Sequence, residues 1–182
     1  MLISKNAANP VALGDYEKRS GYKFPDDYAR FLSKYNGGYT PNTTINTSGF
    51  STDVKEFFGV GNDVSKSLEA LQMIDKNGSI YLPVAEDSFG NIFVLDLTQN
   101  TGIYFVDHEK DGTTQLLTES FAAFIKLCKS EPIKESSKRT PKEREELLVS
   151  RGKGGNISDG LRKAWQEEYD KFKNMIQEEV IL

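Results

Sequence analysis

The chain has one cysteine, Cys128, and one histidine, His108, in 182 residues. A single thiol excludes an intramolecular disulfide and a cysteine-built metal cage. A lone imidazole has no second group of its own kind, and no serine or cysteine can be matched to it as a nucleophile–base pair. His108 reads as a surface residue after a strand. Cys128 lies on an apolar helical stripe, the setting of a buried structural thiol. Nowhere does the chain carry the apolar run of about 18 residues that a transmembrane helix needs. Met1-Leu2-Ile3-Ser4-Lys5-Asn6 lacks a basic region followed by an apolar stretch. No secretory signal is therefore expected, and the cytoplasm is the expected location.

Other chemical motifs are present only in fragments. Gly59-Val60-Gly61 is half of a dinucleotide fingerprint, without the third glycine or the strand–turn–helix spacing. Gly152-Lys153-Gly154-Gly155 lacks the Lys-Ser/Thr ending of a phosphate loop and reads as a hinge. Glu86 and Asp87 are adjacent carboxylates, too few for a metal site. The expectation is a protein with no catalytic set, no cofactor and no metal.

Charge is uneven. Residues 1–133 hold 12 Lys+Arg against 17 Asp+Glu, a net of −5, and residues 134–182 hold 11 against 10. An acidic body disfavours nucleic acid as a direct ligand, because phosphates need a basic surface. It suits a basic protein partner, whose encounter it would accelerate.

Hydrophobic spacing gives a coarse order of elements. Asn9-Pro10 opens a helix running to Ser20. A second helix carries Pro25 in its first turn, with Tyr28, Phe31, Leu32 and Tyr35 on one stripe, Asp26 and Asp27 at its positive end, and Asn36-Gly37-Gly38 ending it. Residues 39–50 read as a short strand or loop, and Lys55–Val60 as a strand. Val64, Leu68, Leu71 and Ile74 predict a helix over 64–74. Strands are predicted at Ile80–Ala85, Ile92–Leu97, Ile103–Val106 and Thr113–Leu117, joined by turns too short for parallel pairing. Pro83 places its strand at an edge or a bulge. Phe121, Phe124, Ile125 and Cys128 form a closing helix. Without strict βαβ alternation, the fold class is α+β: a mainly antiparallel twisted sheet with helices packed against it, plus a C-terminal helical extension.

That extension starts where composition changes. The reading is a body over residues 1–130, a linker over 131–139 and helices over 140–182. Thr140-Pro141-Lys142-Glu143 is a capping box. Ser158 caps a longer helix, which carries Leu161, Trp165, Tyr169, Phe172, Ile176 and Val180 on one side. Burying each large side chain stabilises by roughly 1.5–3 kcal/mol, so the stripe should be covered. Packing on its own domain is expected, with a homodimer through this helix or a clamp on a partner as the alternatives.

Acidic residues recur at loops and strand ends: Asp26, Asp27, Asp53, Glu86, Asp87, Asp107 and Glu109. The aromatic residues Tyr39 and Phe89 lie close to them in sequence. Aromatic side chains within a polar rim make binding hot spots, so these nine are the candidate partner-binding residues.

The segments Gly21-Tyr22-Lys23-Phe24-Pro25-Asp26-Asp27-Tyr28, Phe57-Phe58-Gly59-Val60-Gly61, Tyr81–Asp87 with Gly90-Asn91, Ile103–His108 and Ser120–Ile125 occur in an order that resembles the SUKH superfamily of SMI/KNR-type domains. The resemblance covers roughly residues 10–130 and leaves the C-terminal part unexplained. It implies a non-catalytic bacterial immunity protein, an antitoxin that neutralises a cognate polymorphic toxin, with a basic nuclease domain the expected toxin. The alternative it implies is a regulatory interaction scaffold of the cell-wall signalling type.

Overall fold

The computed structural model describes residues 1–5, 13–61, 68, 74–76, 78–98, 101–110 and 113–182. It divides into two compact units, Met1–Glu131 with Glu178–Leu182, and Pro132–Gln177.

The first unit is α+β, as the sequence predicts. Its elements are β1 (Leu2–Lys5), α1 (Leu13–Ser20), α2 (Asp26–Tyr35), β2 (Gly38–Tyr39), β3 (Thr43–Thr47), β4 (Phe50–Asp53), β5 (Glu56–Phe57), β6 (Ile74–Lys76), β7 (Ser79–Glu86), β8 (Ile92–Asp96), β9 (Ile103–Asp107), β10 (Thr113–Thr118), α3 (Phe121–Leu127) and β11 (Lys129–Ser130). The large sheet runs β10-β9-β8-β7-β5-β2-β1 and ends on a strand from the C-terminus, with β6 also on β7. A small sheet has the order β11-β3-β4. Every pairing among the described residues is antiparallel.

Helix α2 buries its whole predicted stripe, Tyr28, Phe31, Leu32 and Tyr35. Phe31 meets Phe57 and Phe121, and Phe93 of β8 meets Phe105 of β9 and Phe124 of α3, so aromatic rings link both helices to the sheet. Pro25 is the residue before the helix rather than its first turn. Asn36 ends it at φ +50, with its N–H donating to the Leu32 carbonyl. The Asn36 side chain also donates to the Val60 carbonyl and accepts from the Val60 N–H, at 2.9 and 2.8 Å. Next to it Gly37 has φ +76, and a Cβ there would lie 2.6 Å from the Phe57 carbonyl oxygen. Only glycine fits that contact.

Several boundaries differ from the sequence reading. Ile74 lies on β6 rather than closing a helix, and residues 64–67 and 69–73 of that predicted helix lie outside the described residues. So do Asn9 and Pro10. The strand predicted over Lys55–Val60 shrinks to β5. Pro83 sits on a strand paired on both sides, at a register shift between Pro83 and Ala85. Pro83 lies opposite Val94 in a non-hydrogen-bonded pair, so the ladder to β8 loses no donor there, and the strand is not an edge. Residues 39–50, poor in apolar anchors, hold β2 and β3 and lead into β4, and only Ile45 of β3 is a buried aliphatic.

The second unit contains a 3-10 turn (Glu135–Lys138), α4 (Pro141–Ser150), a second 3-10 turn (Gly154–Asn156) and α5 (Asp159–Phe172). The predicted linker thus carries a helical turn. The capping box of α4 forms, with Thr140 and Glu143 bonding reciprocally. Polar pairs join the two helices: Arg144 to Glu168 at 2.7 Å, and Arg162 to both oxygens of Glu145 at 2.9 and 3.0 Å. Helix α5 stops at Phe172. Leu161, Trp165, Tyr169 and Phe172 are half-buried, while Ile176 is 80% exposed. Val180 leaves the stripe altogether. It is buried in the core of the first unit, just after β12 (Glu178–Glu179), which pairs with β1.

Candidate partner-binding surface

Asp87 organises the turn that links β7 to β8. Its side chain is buried, and its two oxygens accept four hydrogen bonds: from the N–H groups of Phe89 and Asn91, the amide of Asn91, and the hydroxyl of Thr52 on β4, all at 2.8–2.9 Å. Asp53, also on β4, accepts from the N–H and hydroxyl of Ser88. The turn is thereby tied to the small sheet from two carboxylates. Asn91 extends the network to the next loop, where its Oδ1 accepts from the His108 N–H and lies 2.8 Å from Nδ1 of the imidazole. That contact makes Nδ1 the protonated nitrogen, since an amide oxygen can only accept.

Phe89 stands at the tip of this fixed turn and is 72% exposed. Beside it opens a cleft of about 370 Å³ whose walls include Phe50, Thr52, Phe89, Phe105, Asp107 and Lys110. Phe50 packs edge-on against Phe105 at 4.8 Å, which joins the small sheet to the large one beneath the cleft. Asp107 and Lys110 pair at 2.9 Å across one loop. The hydrogen bond from Lys110 and the Glu109 N–H hold the Asp107 carboxyl below its usual range, and the same pairing raises Lys110. The rim is polar and charged, and its floor is aromatic.

Of the nine candidate residues, the fold brings Asp53, Asp87, Phe89 and Asp107 to this cleft and its supporting turn, with Glu109 exposed on the same loop as Asp107. Glu86 faces away from Asp87 along the strand and pairs with Lys55 at 2.7 Å, an interaction that raises the lysine. Asp27 is structural: one oxygen accepts from the Ala122 N–H at 2.7 Å in the first turn of α3. Asp26 is exposed at the start of α2, and Tyr39 lies on β2, neither lining the cleft. Sequence reasoning passed over Asn91, Lys110 and Thr52. Lys110 carried a signal, since it stands three residues after Asp107, whereas Thr52 is distant in sequence from everything it supports. Among the described residues no group of three or more His, Cys, Asp or Glu could hold a metal ion, and no helix is long and apolar enough to cross a membrane. Cys128 is buried, and burial pushes its thiol up to about 12, so it stays protonated.

The family described as SMI1-KNR4 cell-wall (SUKH_6) matches residues 12–125, more than half of the chain. The chain belongs to the SUKH superfamily. No curated protein and no solved structure matches it. The match ends within α3, so this SUKH protein carries its α4–α5 unit beyond the region that the family describes.

Proposed function

We propose that this SUKH protein is a non-catalytic immunity protein of the cytoplasm, which binds a cognate toxin domain and covers its active site. The observation that carries the reading is Phe89, a large aromatic side chain exposed at the tip of a turn that the buried Asp87 carboxylate ties together through its hydrogen bonds. Such a residue loses little conformational freedom on binding, and a polar rim around it excludes water. The acidic body supports a basic partner, with a nuclease domain as the class whose own cleft is shaped for an anion. Nucleic acid itself is not the ligand.

Co-expression with a candidate toxin domain, followed by co-purification and a toxin-activity assay, tests the reading. Phe89→Ala should weaken the complex by about 2 kcal/mol, close to a thirtyfold loss. Association should slow as salt rises, and reversal at exposed Glu109 should lower the on-rate. Glu109 is the better site than Asp87, whose reversal would break the turn. Unchanged affinity in Phe89→Ala together with a salt-indifferent on-rate would remove the support.

The cell-wall description of the matched family favours a second reading, a regulatory scaffold in cell-wall signalling. A neighbouring gene for a large secreted protein with a variable C-terminal domain would favour immunity. Recovery of several unrelated signalling proteins through the Phe89 surface would favour the scaffold.

A further inference from the structure

Strand β10 is one end of the large sheet, and among the described residues nothing pairs with its outer side. Exposed edges normally carry a charge or a proline that blocks association. The other sheet ends do so: β12 is Glu178–Glu179, β11 opens with Lys129 and β4 ends in Asp53. In contrast, β10 reads Thr113-Thr114-Gln115-Leu116-Leu117-Thr118, without charge or proline. Gln115 and Leu116 are exposed, Leu116 by 44%.

The ladder fixes which backbone groups face outward. The Asp96 N–H donates to the Gly102 carbonyl at 3.1 Å, in register with the β8–β9 pairing, so these two form a hydrogen-bonded pair. Antiparallel pairs alternate. Val94/Tyr104 and Ile92/Val106 are therefore also bonded pairs, and the backbone of Phe105 and Asp107 turns toward β10. Phe105 is opposite Gln115 and Asp107 opposite Thr113. Gln115 and Thr113 thus bond to β9, and the N–H and C=O groups of Thr114 and Leu116 point away from the sheet. A register shift at Leu117 ends this open stretch.

Thr114 and Leu116 flank Gln115 symmetrically. A second copy, antiparallel about a two-fold axis at Gln115, would set Thr114 opposite Leu116 of its partner twice over and close four hydrogen bonds. Gln115 would face its own equivalent. No charge would meet its like along the strand. We propose that β10 is a homodimer edge, with two copies of this chain pairing about Gln115 into one continuous sheet. The uncharged edge and its two-fold register carry this inference, which does not depend on the toxin reading. The net charge of −4 per chain opposes association, so added salt should strengthen the dimer, the reverse of the response expected with a basic partner.

Sedimentation of the full chain from micromolar to near-millimolar concentration should show a monomer–dimer equilibrium that rises with salt. Gln115→Cys gives the sharper test. Directly opposed residues of a non-hydrogen-bonded antiparallel pair have Cα atoms about 4.5 Å apart, within disulfide reach. Gln115→Cys should cross-link into dimers on mild oxidation several-fold faster than Glu119→Cys, an exposed site off the axis. Leu116→Lys should shift the equilibrium toward monomer while the far-ultraviolet circular dichroism stays that of the folded chain. A chain that stays monomeric throughout, or equal cross-linking at both positions, would overturn the proposal.

Discussion

Asp87 shows how much a single side chain can decide. Its neighbour Glu86 differs by one methylene, yet successive strand residues point to opposite faces. Glu86 meets Lys55, while Asp87 turns inward, 1% exposed, and collects four donors. Replacing it with alanine strands those donors, and unpaired buried polar groups cost more than the lost bonds alone. Asp87→Ala should destabilise the protein by roughly 3 kcal/mol, read as a lower urea midpoint, and on the proposed immunity reading it should weaken toxin binding along with it. The sequence displayed the adjacent carboxylates and the Gly90-Asn91 turn. It could not display Thr52, because a contact across 35 residues has no local signal. The same holds for Asp27. Its place in the first turn of α2 is legible, but its bond to Ala122 is tertiary.

At the scale of elements, local chemistry was legible where a motif closes on itself. The Thr140–Glu143 capping box is complete within four residues and forms as read. Thr140→Ala should lower the stability of the α4–α5 unit by about 1 kcal/mol, seen as earlier loss of helical circular dichroism. The effect has a defined pH dependence. Hydrogen bonds from the Thr140 N–H and hydroxyl hold the Glu143 carboxyl below its usual range. A depressed carboxylate stabilises the fold above its unfolded pKa and loses that contribution as pH falls through the folded value. The gap between wild type and Thr140→Ala should therefore narrow in acid. Periodicity was a poorer guide to where α5 ends. The spacing of Ile176 and Val180 continues the stripe, but the chain leaves the helix after Phe172 and Val180 is used elsewhere. Helical spacing records which residues could share a face, not whether the backbone still winds there.

For the whole chain, the C-terminal residues return to the first unit. Tyr35 hydroxyl accepts from the Ile181 N–H at 2.9 Å, and the Val180 N–H donates to the Met1 carbonyl. The exit and the return lie close together: Ser130 accepts from the Leu2 N–H, and Leu2 is paired with Glu179. Removing residues 132–177 and bridging the gap with a short Gly-Ser linker should leave a cooperatively folding first unit. Truncation after Ser130 should be worse by roughly 2–4 kcal/mol, because it also deletes β12 and the buried Val180. Thermal melts of the two deletions, compared side by side, check the difference. Equal melting temperatures would show that the tail contributes nothing.

The sequence by itself determined the α+β class, the α2 stripe and its Asn-Gly stop, the antiparallel strands from Ile80 onward, the helix caps at Thr140 and Ser158, and the buried thiol. Each rests on interactions within a few residues or on a period that the chain carries along its length. The tertiary structure alone decided the rest: that Pro83 sits at a bulge inside the sheet, that Glu86 and Asp87 part company, that Phe89 is raised over a cleft built from β4, the β7–β8 turn and β9 with the loop after it, and that the last five residues complete the first unit. Those outcomes depend on which distant backbone groups find each other, and a donor or acceptor has the same local sequence whatever it meets.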